Sequence, residues 1–147
     1  ELTDIEPETG ETYGKLVLSP TRTYAPIVTK FLGTVDRNEI GGMVHCSGGG
    51  QTKVMHFLQH GRIVKNNMLT IPPLFKAIQK ASGTSWEEMY KVFNMGHRLE
   101  AYLPVDLAEQ LITISQSFDV EAQIIGEVVD GDCGVDIQHG DQWLSYR

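Results

Sequence analysis

Cysteine is scarce in this chain: 147 residues hold two, Cys46 and Cys133, with no CxxC spacing. That excludes a disulfide-stapled scaffold and a thiolate zinc site, and the reading is of reduced thiols in a cytoplasmic protein. Histidine offers no better metal site. Of the five histidines only His56 and His60 stand four apart, and Phe57, Leu58 and Gly61 around them read as a fraying helix end, so no metal site is expected. No apolar run approaches the roughly 20 residues that cross a bilayer, so no membrane partner is expected. The acidic opening ELTDIEPETG reads as neither signal nor transit peptide, and a start without Met reads as a piece of a longer chain. Basic charge is missing from the last third: Leu99 to Tyr146 holds ten carboxylates and no Lys or Arg, within a net charge of −7. That argues against nucleic acid as a partner and places any anionic ligand toward the first two thirds. Neither GxxxxGK[ST] nor GxGxxG occurs.

What the chain does have is a normal core composition, 41% apolar and 21% charged, at the length of one domain. It also has glycine in an unusual place. Residues 41–50 read GGMVHCSGGG, and five of those ten are glycine. Met43 to Cys46 reads as a short buried strand, and Gln51 to Leu58 as a helix. Gly48-Gly49-Gly50 between them allows two readings. Amide N–H groups at the helix start can cradle a phosphate that approaches the bare backbone, with Ser47 adding a hydroxyl and Lys53 a charge. Alternatively, the glycines only pack a helix tightly on a strand. His45 beside the loop can donate to a phosphorylated ligand or move a proton, or be an ordinary core histidine. Cys46 points to the opposite face of the strand and reads as packing. Asn94 in FNMG can offer its amide to a ligand or shape a turn, and Arg22 in SPTRTY can bind phosphate or solvate a helix start.

The remaining punctuation gives the organisation. Residues 1–13 read as a linker or lead-in and 14–147 as the domain. Thr21 or Thr23 caps a helix over about Tyr24 to Leu32, closed by Gly33. Arg62 to Lys65 reads as a strand. Pro72-Pro73 opens a helix to about Lys80. Ser85 and Glu88 form a capping box for a helix from Trp86 to about Phe93. His97 to Leu103 reads as a strand, and Pro104 opens an amphipathic helix through Leu107, Leu111, Ile114 and Phe118. Val120 to Val129 reads as a long strand with Gly134 to Ile137 as its hairpin partner across Asp130-Gly131-Asp132. A further strand runs from Gln142 to Tyr146. The predicted class is α+β: a mixed sheet with flanking helices.

Taken in order, SPTRTY (19–24), GMVHCSGGG (42–50), IPPLF (71–75), EEMYKVFNMG (87–96) and IIGEVVDG (124–131) resemble the C-terminal domain of phosphoribosylformylglycinamidine cyclo-ligase, or aminoimidazole ribonucleotide synthetase. The resemblance implies a partly ferredoxin-like fold and a share in an ATP-dependent ring closure of purine synthesis. It implies a ribonucleotide substrate, with its phosphate on Ser47, Gly48, Gly49, Gly50 and Arg22, and with His45 and Asn94 in contact with the reacting part. ATP and Mg²⁺ are implied for a full-length homodimeric parent, bound largely by an N-terminal domain that this chain lacks. The domain alone then requires no cofactor and is expected to be inactive. Two departures stand out. The family commonly has HITGGG where this chain has HCSGGG. Many members continue after FNMG with small or apolar residues, where this chain has His97, Arg98 and Glu100. The second departure motivates an alternative, a noncatalytic or divergent binding module of the same superfamily.

Overall fold

Local sequence rules set most of the elements in the computed structural model, which describes residues 1–20 and 22–147. Thr21, one of the two cap candidates, lies outside the described residues. Helix α1 spans Tyr13–Val17 and α2 spans Ala25–Leu32, with proline in the first turn of α2 and Gly33 as its C-cap. Helices α3, Pro73–Ser82, and α4, Trp86–Val92, are separated by Gly83 in the left-handed conformation and by Ser85, whose side chain accepts from the Glu88 amide. Helix α5 covers Val105–Gln116. The strands are β1 Gly42–His45, β2 Arg62–Lys65, β3 Leu99–Tyr102, β4 Gly126–Val129, β5 Gly134–His139 and β6 Gln142–Tyr146. The fold is α+β, with the strands divided between two sheets. β1 and β3 form an antiparallel pair, and the other four run in the order β4-β2-β5-β6.

Three expectations fail for identifiable reasons. The helix expected from Gln51 to Leu58 is a 3₁₀ helix over Gly50–His56. The Thr52 amide and hydroxyl both donate to the Gly49 carbonyl, at 3.0 and 2.9 Å, and this holds the first turn at three-residue spacing. The long strand from Val120 shrinks to β4, because β2 ends at Lys65. Beyond it the amides of Asn66 and Asn67 both donate to the Ile125 carbonyl, while the Asn67 side chain donates to Ile124 and that of Gln123 to the Asn67 carbonyl. The expected β4–β5 hairpin does not form either. β2 lies between the two strands, antiparallel to β4 and parallel to β5, and the connecting loop arches over its start, where the Gly61 amide donates to the Gly131 carbonyl at 3.2 Å.

Residues 1–13 fold back on themselves through an Ile5–Thr12 bridge, and Lys76 of α3 reaches Glu8 at 3.1 Å. The inward face of the four-stranded sheet, through Ile63, Val135 and Ile137, packs with Met89 and Tyr90 of α4 and with Val44 of β1. A second cluster joins Ile27 and Phe31 of α2 to Ile114 of α5.

Between the two sheets lies a buried ion pair. The Lys65 side chain is 1% exposed and that of Glu100 is 5%, with Nζ 2.5 Å from Oε1. Nζ also donates to the Gln51 carbonyl at 2.8 Å and to Gln51 Oε1 at 3.1 Å, and the Tyr102 hydroxyl donates to Glu100 Oε2 at 2.7 Å. Replacing one member strands a buried charge, which typically costs ~3–5 kcal/mol. Lys65→Met is therefore expected to lose about that much stability in urea denaturation, and Lys65→Met combined with Glu100→Leu to recover most of it. A single-variant loss below about 1 kcal/mol would show that the pair does not constrain the fold.

Candidate functional site around the glycine-rich turn

Strand alternation places the residues that lead into the turn. Val44 and Cys46 point inward, at 7% and 2% exposure, and His45 between them is exposed. Burial, reinforced by Glu100, pushes the Cys46 thiol up to about 12, so it is an inert packing group. The turn is pinned by the Ser47 amide on the His45 carbonyl at 2.9 Å and by the Gly50 amide on the Ser47 carbonyl at 3.1 Å.

The three glycines have different physical reasons. Gly50 is buried at φ +50, and a Cβ there would stand 2.5 Å from the carbonyl oxygens of both Tyr90 and Phe93. It is a packing residue, wedged against the end of α4. Gly49, at φ +94, turns the chain, and a Cβ would meet the Lys53 side chain at 3.4 Å. Gly48 is exposed with nothing near its missing side chain and no positive φ. The packing reading of the triple glycine therefore applies to Gly50, and Gly48 is left open to solvent. Among the described residues, the Gly48 and Gly49 amides have no acceptor, and neither the His45 ring nor the Ser47 hydroxyl has a hydrogen-bond partner. Lys53, which leans on Gly49, has no ion-pair partner among them. The set consists of free donors and one cation, which suits a phosphate oxygen cluster.

Asn94 lies in the adjoining turn. Its Oδ1 accepts from the Gly96 amide at 2.9 Å, and its carbonyl accepts from Gln51 Nε2 at 2.6 Å and from the His97 amide at 2.9 Å. These bonds shape the turn, in which Met95 is fully buried at φ +52. The Asn94 Nδ2 group keeps no acceptor among the described residues. Gln51 thus joins the glycine loop to the Asn94 turn. Arg22 is exposed, and its charge, with that of Arg98, opposes the burial that raises the Tyr24 hydroxyl. The Arg98 carbonyl takes the Cys46 amide at 2.8 Å. Sequence reasoning marked Arg98 as a departure and did not place it beside the loop. Its place follows from extending the β1–β3 register by one step, which local sequence does not supply. The described residues bring no three His, Cys, Asp or Glu side chains together as a metal site, and none of their helices is long and apolar enough to cross a membrane.

His97 is 5% exposed, and its Nε2 accepts from the Leu69 amide at 3.1 Å. An amide can only donate, so the proton of the neutral ring sits on Nδ1. Burial, aided by the charge of Lys65, pulls this histidine down to about 4.

With this geometry in view, comparison with known proteins is informative. The chain matches the family described as "AIR synthase related protein, C-terminal domain" over residues 3–138. A phosphoribosylformylglycinamidine cyclo-ligase from Methanococcus vannielii is 33% identical over 134 residues, covering 88% of this chain and 38% of that protein. Its counterpart from Alkaliphilus metalliredigens is 34% identical over 125 residues, covering 83% and 35%. The chain thus spans little more than a third of the length of these curated relatives. Among solved structures, E. coli HypE, a hydrogenase maturation protein, superposes with a TM-score of 0.63 at 20% identity, over 91% of this chain and 40% of that one, which shows a shared fold.

Two outcomes follow from the geometry. Gly50→Ala is expected to cost more than about 2 kcal/mol in thermal or chemical unfolding, because backbone must move. Gly48→Ala should stay within about 1 kcal/mol of wild type. For His97, the unfolded ring titrates near 6.5 and the folded ring near 4. The unfolded state therefore takes up the proton first as pH falls. The stability is complete above pH ~6.5 and is lost between there and about 4, by roughly 3 kcal/mol. Urea titrations at several pH values should show this slope in wild type and a flatter one in His97→Gln.

Proposed function

Because this chain belongs to the AIR synthase related protein C-terminal domain family, we propose that it is the substrate-binding part of an ATP-dependent phosphoribosylformylglycinamidine cyclo-ligase. The reaction would activate the formyl oxygen of formylglycinamidine ribonucleotide with the terminal phosphoryl group of ATP. A nitrogen of the same substrate would then attack that carbon and close the imidazole ring, releasing ADP and phosphate. The observation that carries the reading is the pair of unpartnered amides at Gly48 and Gly49, flanked by Ser47 and Lys53. This set receives the ribose phosphate without any rearrangement of the turn. Gly50 contributes by holding the turn against α4, so its role is positional. His45 and the Asn94 amide group face ligand from the two ends of the linked turns, and Arg22 adds charge beside Tyr24.

ATP and Mg²⁺ fall outside this domain in the proposal. The donor set at the turn suits anionic oxygens, whereas Mg²⁺ is held by carboxylates and phosphate oxygens. A cytosolic, homodimeric parent would supply the nucleotide site from a preceding domain, and residues 14–147 alone would bind without turnover. The divergent-module alternative draws on His97, Arg98 and Glu100, which follow FNMG where the family resemblance departs.

Calorimetric titration with ribose 5-phosphate tests the reading. Gly48→Glu adds a negative charge at a position with open space and ordinary φ, so its melting temperature should match that of wild type within about 2 °C. Binding should weaken at least about tenfold, equivalent to ~1.4 kcal/mol. Equal affinity in the two proteins, or no binding by wild type, would remove the phosphate from this turn.

A further inference from the structure

One unfilled space among the described residues plays no part in the reading above. A cavity of about 470 Å³ lies between β3, α5 and the segment leading into β4, and no residue from 45 to 50 lines it. That volume is typical of a small-molecule pocket. Its walls are apolar, with Leu99, Leu103, Leu111, Ile112 and Val120 among them. Val128 also lines it, opposite Ile63 in the β2–β4 register and so on the same face of the sheet, yet it is 55% exposed. Apolar side chains turned toward open space leave contacts unmade.

One end of the cavity is polar, and all of its free groups are donors. His97 lines it, and its Nε2 is occupied by the Leu69 amide, so Nδ1–H is left to donate. Among the described residues that N–H makes no hydrogen bond. Arg98, the next residue in the chain, also lines the cavity. Lys65 and Glu100 also border the space, but they satisfy each other. Two further carboxylates lie on the lining. Glu127 is paired with Val64, so it points to the face of the sheet opposite Ile63 and Lys65, and Glu121 is exposed.

We propose that this cavity is a second ligand site, which takes a small molecule with a flat apolar body and a carboxylate-like head that accepts from His97 Nδ1–H and Arg98. It goes beyond the phosphate reading of the turn and does not depend on it. His97 and Arg98 stand where the resemblance to the cyclo-ligase family breaks.

The probe is 2-naphthoate, titrated by calorimetry and followed in 1H–15N spectra of chain labelled in its histidine rings. Saturable one-to-one binding with a dissociation constant below about 1 mM is expected. The His97 Nδ1–H resonance should move while that of His139, outside the cavity, stays. Ala108→Phe fills the space and should weaken binding at least tenfold, and Arg98→Gln at the mouth should weaken it about tenfold while keeping the wild-type circular dichroism spectrum. Absence of saturation, an unmoved His97 resonance, or wild-type affinity in both variants would overturn the proposal.

Discussion

The molecule depends on one desolvated contact, the Lys65–Glu100 pair. It is the direct side-chain link between β2 of the four-stranded sheet and β3 of the two-stranded one. Removing two such charges from water is costly, and the cost is tolerable only when every remaining donor and acceptor is used. Here they are used. The ammonium has three acceptors, two of them on Gln51, and the carboxylate has Tyr102 on its second oxygen. Gln51 then spends its amide group on the carbonyls of Asn94 and His97. A single residue after the glycines thus reads the position of both sheets and of the Asn94 turn. The geometry of the candidate phosphate site is inherited from this network.

That inheritance explains why glycine is needed at the turn. Fixing Gln51 over Lys65 draws the chain against the C-terminal end of α4, and Gly50 is the point of closest approach. With Gly50 fixed, Gly49 must reverse the chain in left-handed conformation, and Gly48 is left outside with its amide unpaired. A packing requirement therefore generates the free donors. A helix dipole is not required, since the element that follows is a short 3₁₀ helix with poorly aligned peptides.

Elements governed by local rules were legible in the sequence. The proline and Gly33 bounds of α2, the Ser85 cap of α4 and the alternation of β1 and β2 all follow from neighbours within a turn or a pleat. What could not be read was set by distant residues. Val120 to Ile125 has strand composition, but a strand needs a partner, and β2 ends at Lys65. The hairpin across Asp130-Gly131-Asp132 was plausible locally and lost to β2, some 70 residues earlier in the chain. Lys65 itself looked like a polar end to a strand. Nothing near it in the sequence names Glu100 as its partner. At the candidate site, the loop motif singled out His45, Ser47 and Gly48 as candidates, but the division of labour among the glycines depends on carbonyls of α4, and the placement of Arg98 on a strand register.

The buried pair also decides which charges an incoming anion feels. Lys65 lies close to the turn in the fold, but Glu100 cancels it at 2.5 Å. The field at the turn is left to Lys53, Arg22 and Arg98, which carry no carboxylate partner among the described ion pairs. These are shallow charges, screened over about 8–10 Å at physiological salt. They act only at short range, in a chain whose net charge of −7 repels anions at long range. The carboxylates that dominate the last third sit mainly on β4, β5 and the loops around them, and the Asp136 carboxyl is already taken by Arg62 and Ser145. In the proposed reading, selection at the turn would therefore rest on donor geometry more than on overall potential, as for a phosphate of fixed shape.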